Sequence, residues 1–401
     1  MRGIFKKIQG DKAIWAIAGV LAVFSFLPVY SASSNLAYLY GDGSTLPYFF
    51  KHLAHLLLGF AILYGIHKIP YHYFRGLSIL FLPFVLLLLI VTMAQGTTID
   101  GANASRWIRV PLVGVTFQTS TFAAVILMTY VARYLSRIKD KTVTFKETLL
   151  PLWTPVFIIL ALILPANFST TAIIFAMITV LVFVGGYPLK YLGIILGTGL
   201  VALTLFVLTA KAFPGVFPNR VDTWMSRIDN FVDDTDTEGD YQIEKAKIAI
   251  ASGGLTGLGP GKSVQKNFLP QSSSDFIYAI IVEEFGVIGA LTLMFLYMLL
   301  LFRLVVVAHK SESMFGKLLV IGVGLPIVFQ AFINMAVAVE LFPVTGQTLP
   351  LISSGGTSIW MTCLALGMVL SVSAKRGLSK TDEETKSTNE ENPLDILSEA
   401  I

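Results

Sequence analysis

The sequence predicts an all-α fold, a polytopic helical membrane protein with about ten transmembrane helices and a large extracytoplasmic loop between the seventh and eighth. Three observations lead there. Hydrophobic residues fill 55% of the 401 positions and charged residues only 13%. Mean hydropathy is +0.73. Apolar runs of about twenty residues recur along most of the chain, and at about 1.5 Å per residue each crosses roughly 30 Å of hydrocarbon.

The expected spans are 14–32, 47–66, 75–94, 119–136, 150–165, 169–186, 191–211, 276–302, 316–340 and 350–373. Arg2, Lys6, Lys7 and Lys12 precede the first, and Arg133, Arg137, Lys139, Lys141 and Lys146 surround the connection between the fourth and fifth. Arg303, Lys310 and Lys317 follow the eighth, and Lys375, Arg376 and Lys380 follow the last. Short positively charged loops resist translocation. With ten spans all these groups fall on one side, so both termini are expected in the cytoplasm. The loop 33–46 carries no Lys or Arg, as the opposite face should.

The net charge of +4 therefore reports topology and gives no reason to expect a nucleic-acid partner. No small-residue cleavage site follows the first span, so that span is expected to stay in the protein. The single cysteine, Cys363, excludes an intramolecular disulfide or a cysteine metal cluster. His52 and His55 are the one close histidine pair, with interfacial or packing roles expected. No metal ligand set is predicted, and a divalent cation is left open.

The domain expected is 1–376, followed by a polar tail at 377–401 rich in Lys, Glu, Ser, Thr and Asn. The loop 212–275 is too long for a simple connection. Its stretch DYQIEKAKIAIASGGLTGLGPGKS has apolar residues at helical intervals and then clustered glycines, which predicts a surface helix followed by a shaped loop. GPGKS does not complete a phosphate-binding motif, because Thr256 stands where the first glycine is required. The glycines therefore read as tight turns, with a phosphate-binding nest of N–H groups as the second reading.

Three carboxylates remain. Ser274 or Asp275 has the chemistry of a helix cap for the eighth span, and Asp275 equally has that of a general base at the outer interface. Glu283 and Glu284 lie inside a span, where charge is costly unless it meets a partner. Adjacent helical positions diverge by about 100°, so the two are expected in different environments, each pairing with a buried donor or helping to hold substrate. Ser353, Gly355 and Gly356 read as small residues that let helices approach closely. Arg106 and Trp107 fit an interfacial anchor or a phosphate contact.

LPQSSSDFIYAIIVEEFGVIG and QAFINMAVAVELFPVTGQTLPLISSGGTS resemble the SEDS glycosyltransferases, the FtsW, RodA and SpoVE group of cell-wall polymerases. SRWI and the glycine loop also sit where that family has corresponding segments, and TLPLISSGG is closer to the division branch, FtsW. The resemblance implies polymerisation of lipid II at the outer face of the cytoplasmic membrane during cell division. It implies Asp275 as the base, a class B penicillin-binding protein and other divisome proteins as partners, and no cofactor. Arg106, Arg220, Lys262 and Lys266 are the candidate contacts for the leaving pyrophosphate, with Ser353, Gly355 and Gly356 as further substrate-binding candidates and Gln330 and Asn334 lining the cavity. Three charged positions of the family are neutral here, Thr121, Ala124 and Asn167, which suggests that a structural charge cluster is replaced by a neutral contact. A lipid II flippase, a non-catalytic division scaffold and the RodA-like elongation paralogue are the alternatives.

Overall fold

The computed structural model describes residues 9–40, 44–95, 106–109, 116–139, 141–212 and 238–374. The chain is a helical bundle: α1 (Lys12–Tyr40), α2 (Leu46–Ile66), α3 (Tyr73–Gln95), α4 (Thr119–Ile138), α5 (Phe145–Ile163), α6 (Phe168–Val184), α7 (Leu189–Ala212), α8 (Glu238–Gly253), α9 (Ile277–Lys310), α10 (Met314–Ala338) and α11 (Gly356–Ser373). Eight described helices are long and apolar enough to cross a membrane. The expected fourth and sixth spans, α4 and α6, fall outside that group. α6 is an apolar helix of 17 residues. α4 packs against α3, α6, α10 and α11, and a helix so enclosed need not be apolar all round.

Three boundaries differ from expectation. α1 continues to Tyr40 and takes up much of the expected loop 33–46. α9 runs eight residues past the expected end to Lys310, carrying Arg303, His309 and Lys310 as its basic C-terminal part. The last helix starts only at Gly356, because residues 349–354 turn back instead, with Leu351 at φ 64°. The fold also contains a hairpin that the hydropathy pattern conceals. β1 (Trp107–Arg109) pairs antiparallel with β2 (Thr116–Gln118), with Ile108 opposite Phe117.

Asp11 ties one end of the bundle together. Its Oδ1 accepts from the N–H of Ala13 (2.9 Å) and Ile14 (3.2 Å), capping α1. Its carboxylate pairs with Arg303 of α9, and its own N–H donates to Ser373 Oγ of α11 at 2.9 Å. Burial pushes this carboxyl up, but the hydrogen bond from Arg303, the two backbone N–H groups and the guanidinium charge outweigh it and hold Asp11 below its ordinary value. A depressed carboxyl stabilises the fold above its unfolded-state pKa and loses that contribution as pH falls through the folded value. Asp11→Ala should therefore cost about 1 kcal/mol or more near neutral pH, the size of a lost cap. The gap to wild type should close on acidification below about pH 3.9. Thermal unfolding of both proteins in detergent across pH checks this, and a gap that widens in acid contradicts it.

Candidate active site

The site is built on a break in α9. Gly286 has φ 67° and ψ −168°, so the helix cannot pair its own backbone across this point. The interrupted bonds run from the carbonyls of Glu283 and Glu284 to the N–H groups of Val287 and Ile288. The glycine loop supplies a partner for each of the four. Leu258 N–H donates to Glu283 O (2.9 Å) and Gly259 N–H to Glu284 O (3.0 Å), while Val287 N–H donates to Gly254 O (3.0 Å) and Ile288 N–H to Leu255 O (3.2 Å). Non-helical backbone at membrane depth persists only with such replacement. The glycines are required by this approach, since a Cβ on Gly257 would lie 2.2 Å from Glu284 O and one on Gly286 2.3 Å from Leu255 O. The phosphate-nest reading fails for the same reason, because the loop N–H groups already serve α9.

Glu283 and Glu284 are buried, at 0% and 1% exposure, and act as struts. Glu283 accepts from Ser263 Oγ, Val264 N–H (2.9 Å) and Gln265 N–H (3.2 Å). Glu284 accepts from Ser31 Oγ of α1 and from Ser263 N–H at 3.3 Å. The expectation of separate environments is therefore wrong. The two side chains do diverge, but Ser263 crosses over both and meets one with its hydroxyl and the other with its N–H. Lys266 Nζ donates to Ser31 Oγ (3.2 Å) and Gly261 O (2.8 Å), which places it as the cation of this buried cluster.

Asp275 stands outside this cluster, in the turn that precedes α9. The N–H groups of Ser274 and Asp275 both donate to Gln271 O, at 3.0 and 3.1 Å, in a tight turn. The cap of α9 falls on Phe276, so Asp275 stands outside the capping position, and Ser274 Oγ donates to Gln271 Oε1 at 2.7 Å instead. Side chains of α10 and the turn before α11 fix this segment. Asn334 Nδ2 donates to Asp275 O (2.6 Å) and Gln347 O (2.7 Å), and Gln330 Nε2 donates to Thr348 O (2.8 Å). Ser353 Oγ accepts from Leu349 N–H (2.7 Å) and donates to Ser274 O (2.6 Å).

The half-buried Asp275 is not isolated from positive charge. A Cβ built on Gly346 would stand 3.4 Å from Asp275 Oδ2 and 3.9 Å from Arg106 Nη1, so carboxylate and guanidinium converge on the same bare stretch of backbone. Arg106 Nε donates to Ala166 O in the α5–α6 turn at 2.9 Å. The hairpin beside it is pinned to α11, with Thr357 Oγ1 donating to Thr116 O (3.1 Å) and accepting from Gln118 N–H (3.3 Å). Gln347 Nε2 donates to Thr170 Oγ1 of α6 at 3.0 Å. Asn334 Oδ1 and Thr345 Oγ1 are buried with no hydrogen-bond partner among the described residues.

The remaining candidates divide. Arg220 lies outside the described residues. Lys262 is exposed on the glycine loop, its N–H donating to Gly259 O at 3.1 Å. Gly355 borders Thr348, and a Cβ on Gly356 would strike the His55 ring, so both permit close packing. His55 packs edge-on to Trp360, while His52 meets Ser25 Oγ at 2.7 Å, so the histidine pair engages different helices. Among the described residues no group of three or more His, Cys, Asp or Glu side chains is placed to hold a metal ion. Thr121 and Asn167 bond within their own elements, to Gln118 O (2.8 Å) and from Thr170 N–H (3.1 Å). Sequence reasoning missed Ser31 and Ser263, which the glycine loop and the break in α9 bring to Glu284 and Glu283, and Gln347, which the turn before α11 brings to Thr170 and Asn334.

A bundle of membrane-crossing helices, one of them broken under a glycine loop and headed by a half-buried acid facing an arginine, defines a polytopic membrane protein with its polar site at one end. The family model for the cell cycle proteins FtsW, RodA and SpoVE matches residues 11–377, and the chain belongs to that family. The probable peptidoglycan glycosyltransferase FtsW of Geobacter sp. (strain M18) is 33% identical over 382 residues, covering 92% of this chain and 98% of the relative. That of Saccharophagus degradans is 32% identical, covering 96% and 98%. A chain from a peptidoglycan synthase complex, solved to show how polymerization and crosslinking are coordinated, superposes with a TM-score of 0.71 at 25% identity over 92% of this chain and 99% of that one. The rod shape determining protein RodA of Thermus thermophilus shares the fold, with a TM-score of 0.65 at 24% identity over 92% and 98%.

The strut geometry has a measurable consequence. Glu283→Ala leaves the buried Ser263 hydroxyl and the part-buried Val264 and Gln265 N–H groups without an acceptor, and should cost about 2–3 kcal/mol. Glu283→Gln keeps one acceptor oxygen and should cost clearly less. Chemical denaturation of the purified variants ranks them; equal losses would show that the carboxylate does not organise the loop.

Proposed function

We propose that the chain is a peptidoglycan glycosyltransferase that polymerises lipid II into glycan strands, with Asp275 as general base. The observation that carries the reading is the convergence of the Asp275 carboxylate and the Arg106 guanidinium at Gly346. The names of the curated relatives support the reaction class, and their FtsW identity supports a role in division.

In this reading Asp275 takes the proton from the acceptor's GlcNAc 4-hydroxyl as that oxygen attacks C1 of the donor's MurNAc. The bond from C1 to the pyrophosphate oxygen breaks, the electron pair leaves with the lipid pyrophosphate, and the anomer inverts. Arg106 is the cation best placed for the departing charge, because Lys266 is engaged with Ser31 and Gly261. Lys and Arg crowd the end of the bundle opposite Asp275, which supports cytoplasmic termini and an outward-facing site. The synthase-complex likeness supports a class B penicillin-binding protein as partner, and the FtsW relatives support septal placement with other divisome proteins.

Glycan-strand formation from labelled lipid II by the purified protein with its partner tests this. Asp275→Asn should retain its fold and partner binding yet lose activity by roughly 10²-fold or more. Arg106→Gln should also lower the rate, by removing the cation placed for the departing pyrophosphate. A folded Asp275→Asn protein that polymerises like wild type overturns the base assignment.

A further inference from the structure

The end of the bundle opposite Asp275 contains a cleft of about 390 Å³, lined among others by Lys139, Lys141, Gly186, Lys190 and Tyr191. It forms where α4 and α6 end and α5 and α7 begin. That volume falls within the roughly 300–1,000 Å³ of ligand pockets. Three lysines line one concavity, and none of its described lining residues is acidic. Asp140 lies outside the described residues, and Glu147 is engaged at the start of α5, accepting from Thr144 N–H at 2.9 Å. Lys190 sits in the first turn of α7, where the helix N-terminus adds positive potential.

The lip of the cleft is apolar. Phe183 and Val184, 58% and 45% exposed, directly precede the Gly185–Gly186 turn, and Leu189, 65% exposed, directly precedes Lys190. These exposed apolar side chains, next in sequence to the lining residues, suit acyl chains beside a charged headgroup. We propose that this cleft is a binding site for the phosphate headgroup of an anionic phospholipid from the surrounding leaflet. Basic pockets between helices at a membrane surface recognise lipid headgroups in this way. Topology alone requires positive charge in the short loops of this side, but not three lysines around one cavity with an apolar lip. Free phosphate would satisfy the lysines and make no use of Phe183 or Leu189.

The test compares full-length proteins in phosphatidylcholine nanodiscs containing a minority of phosphatidylglycerol, with retained lipid read by native mass spectrometry. The combined variant Lys139→Gln, Lys141→Gln and Lys190→Gln should retain phosphatidylglycerol roughly tenfold less than wild type. The charge-matched control Lys12→Gln, Lys310→Gln and Lys317→Gln, at the same end of the bundle, should retain it normally. Unfolding temperature in pure phosphatidylcholine verifies the fold, and Lys190→Gln alone, with a smaller loss, carries the comparison if the combined variant is unstable. Equal losses in cleft and control variants, or no loss in either, overturn the proposal. Displacement of the lipid by inorganic phosphate with no dependence on Phe183→Ser also overturns it, in favour of a phosphate site.

Discussion

The break in α9 is the constraint on which the site depends. Two helical hydrogen bonds are given up around Gly286, and all four freed groups find partners in residues 254, 255, 258 and 259. In a membrane an unpaired backbone group costs several kcal/mol, so loop and helix cannot form independently. The small faces on both sides follow from this. α8 buries Ile243, Ala246 and Ala249 toward the bundle, and its C-terminal end delivers the glycine loop onto the break. Ser263 then arrives over the two glutamates, and Ser31 brings α1 to the same cluster.

This arrangement separates two kinds of carboxylate in one short stretch. Glu283 and Glu284 are fully buried and committed to donors from the loop and α1. Asp275 is half-buried, one position outside the helix cap, and its backbone is held by Asn334 while its side chain faces Gly346 and Arg106. Holding the backbone and leaving the carboxylate at a polar surface is the arrangement expected of a group that must exchange a proton. The same separation sorts the cations. Lys266 balances the buried cluster, whereas the Arg106 guanidinium stands, like the Asp275 carboxylate, close to Gly346.

Much of the architecture was legible in the sequence because hydrocarbon imposes a length and a composition on each span. The helices from α2 to α7 lie close to the predicted spans, and a helix followed by a glycine loop stands within DYQIEKAKIAIASGGLTGLGPGKS. The hairpin at 107–118 was not legible, because its strands are three residues long and lie next to an apolar helix. The shared environment of Glu283 and Glu284 was also out of reach. Helical geometry correctly separates the side chains, but no local rule says that one serine will span them. Asp275 was legible as a candidate and not as a role, since capping and catalysis ask for the same residue type. In the structure the cap of α9 falls on Phe276, one position past Asp275.

The neutral residues at 121, 124 and 167 bear on the same distinction. The resemblance drawn from the sequence implies charge at these positions, and its joint absence here raises the question of what it would contribute. Asn167 Oδ1 caps α6 by accepting from Thr170 N–H, and Thr170 Oγ1 in turn receives Gln347 from the segment that carries Gly346. Asp and Asn are nearly equivalent as caps, so this function survives the loss of charge. The chain of contacts from α6 through Gln347 to Asn334 and Asp275 is made of neutral hydrogen bonds throughout. The position of Asp275 therefore does not require a charge cluster at the other three positions, and its carboxylate can stay ionisable without competing for their partners.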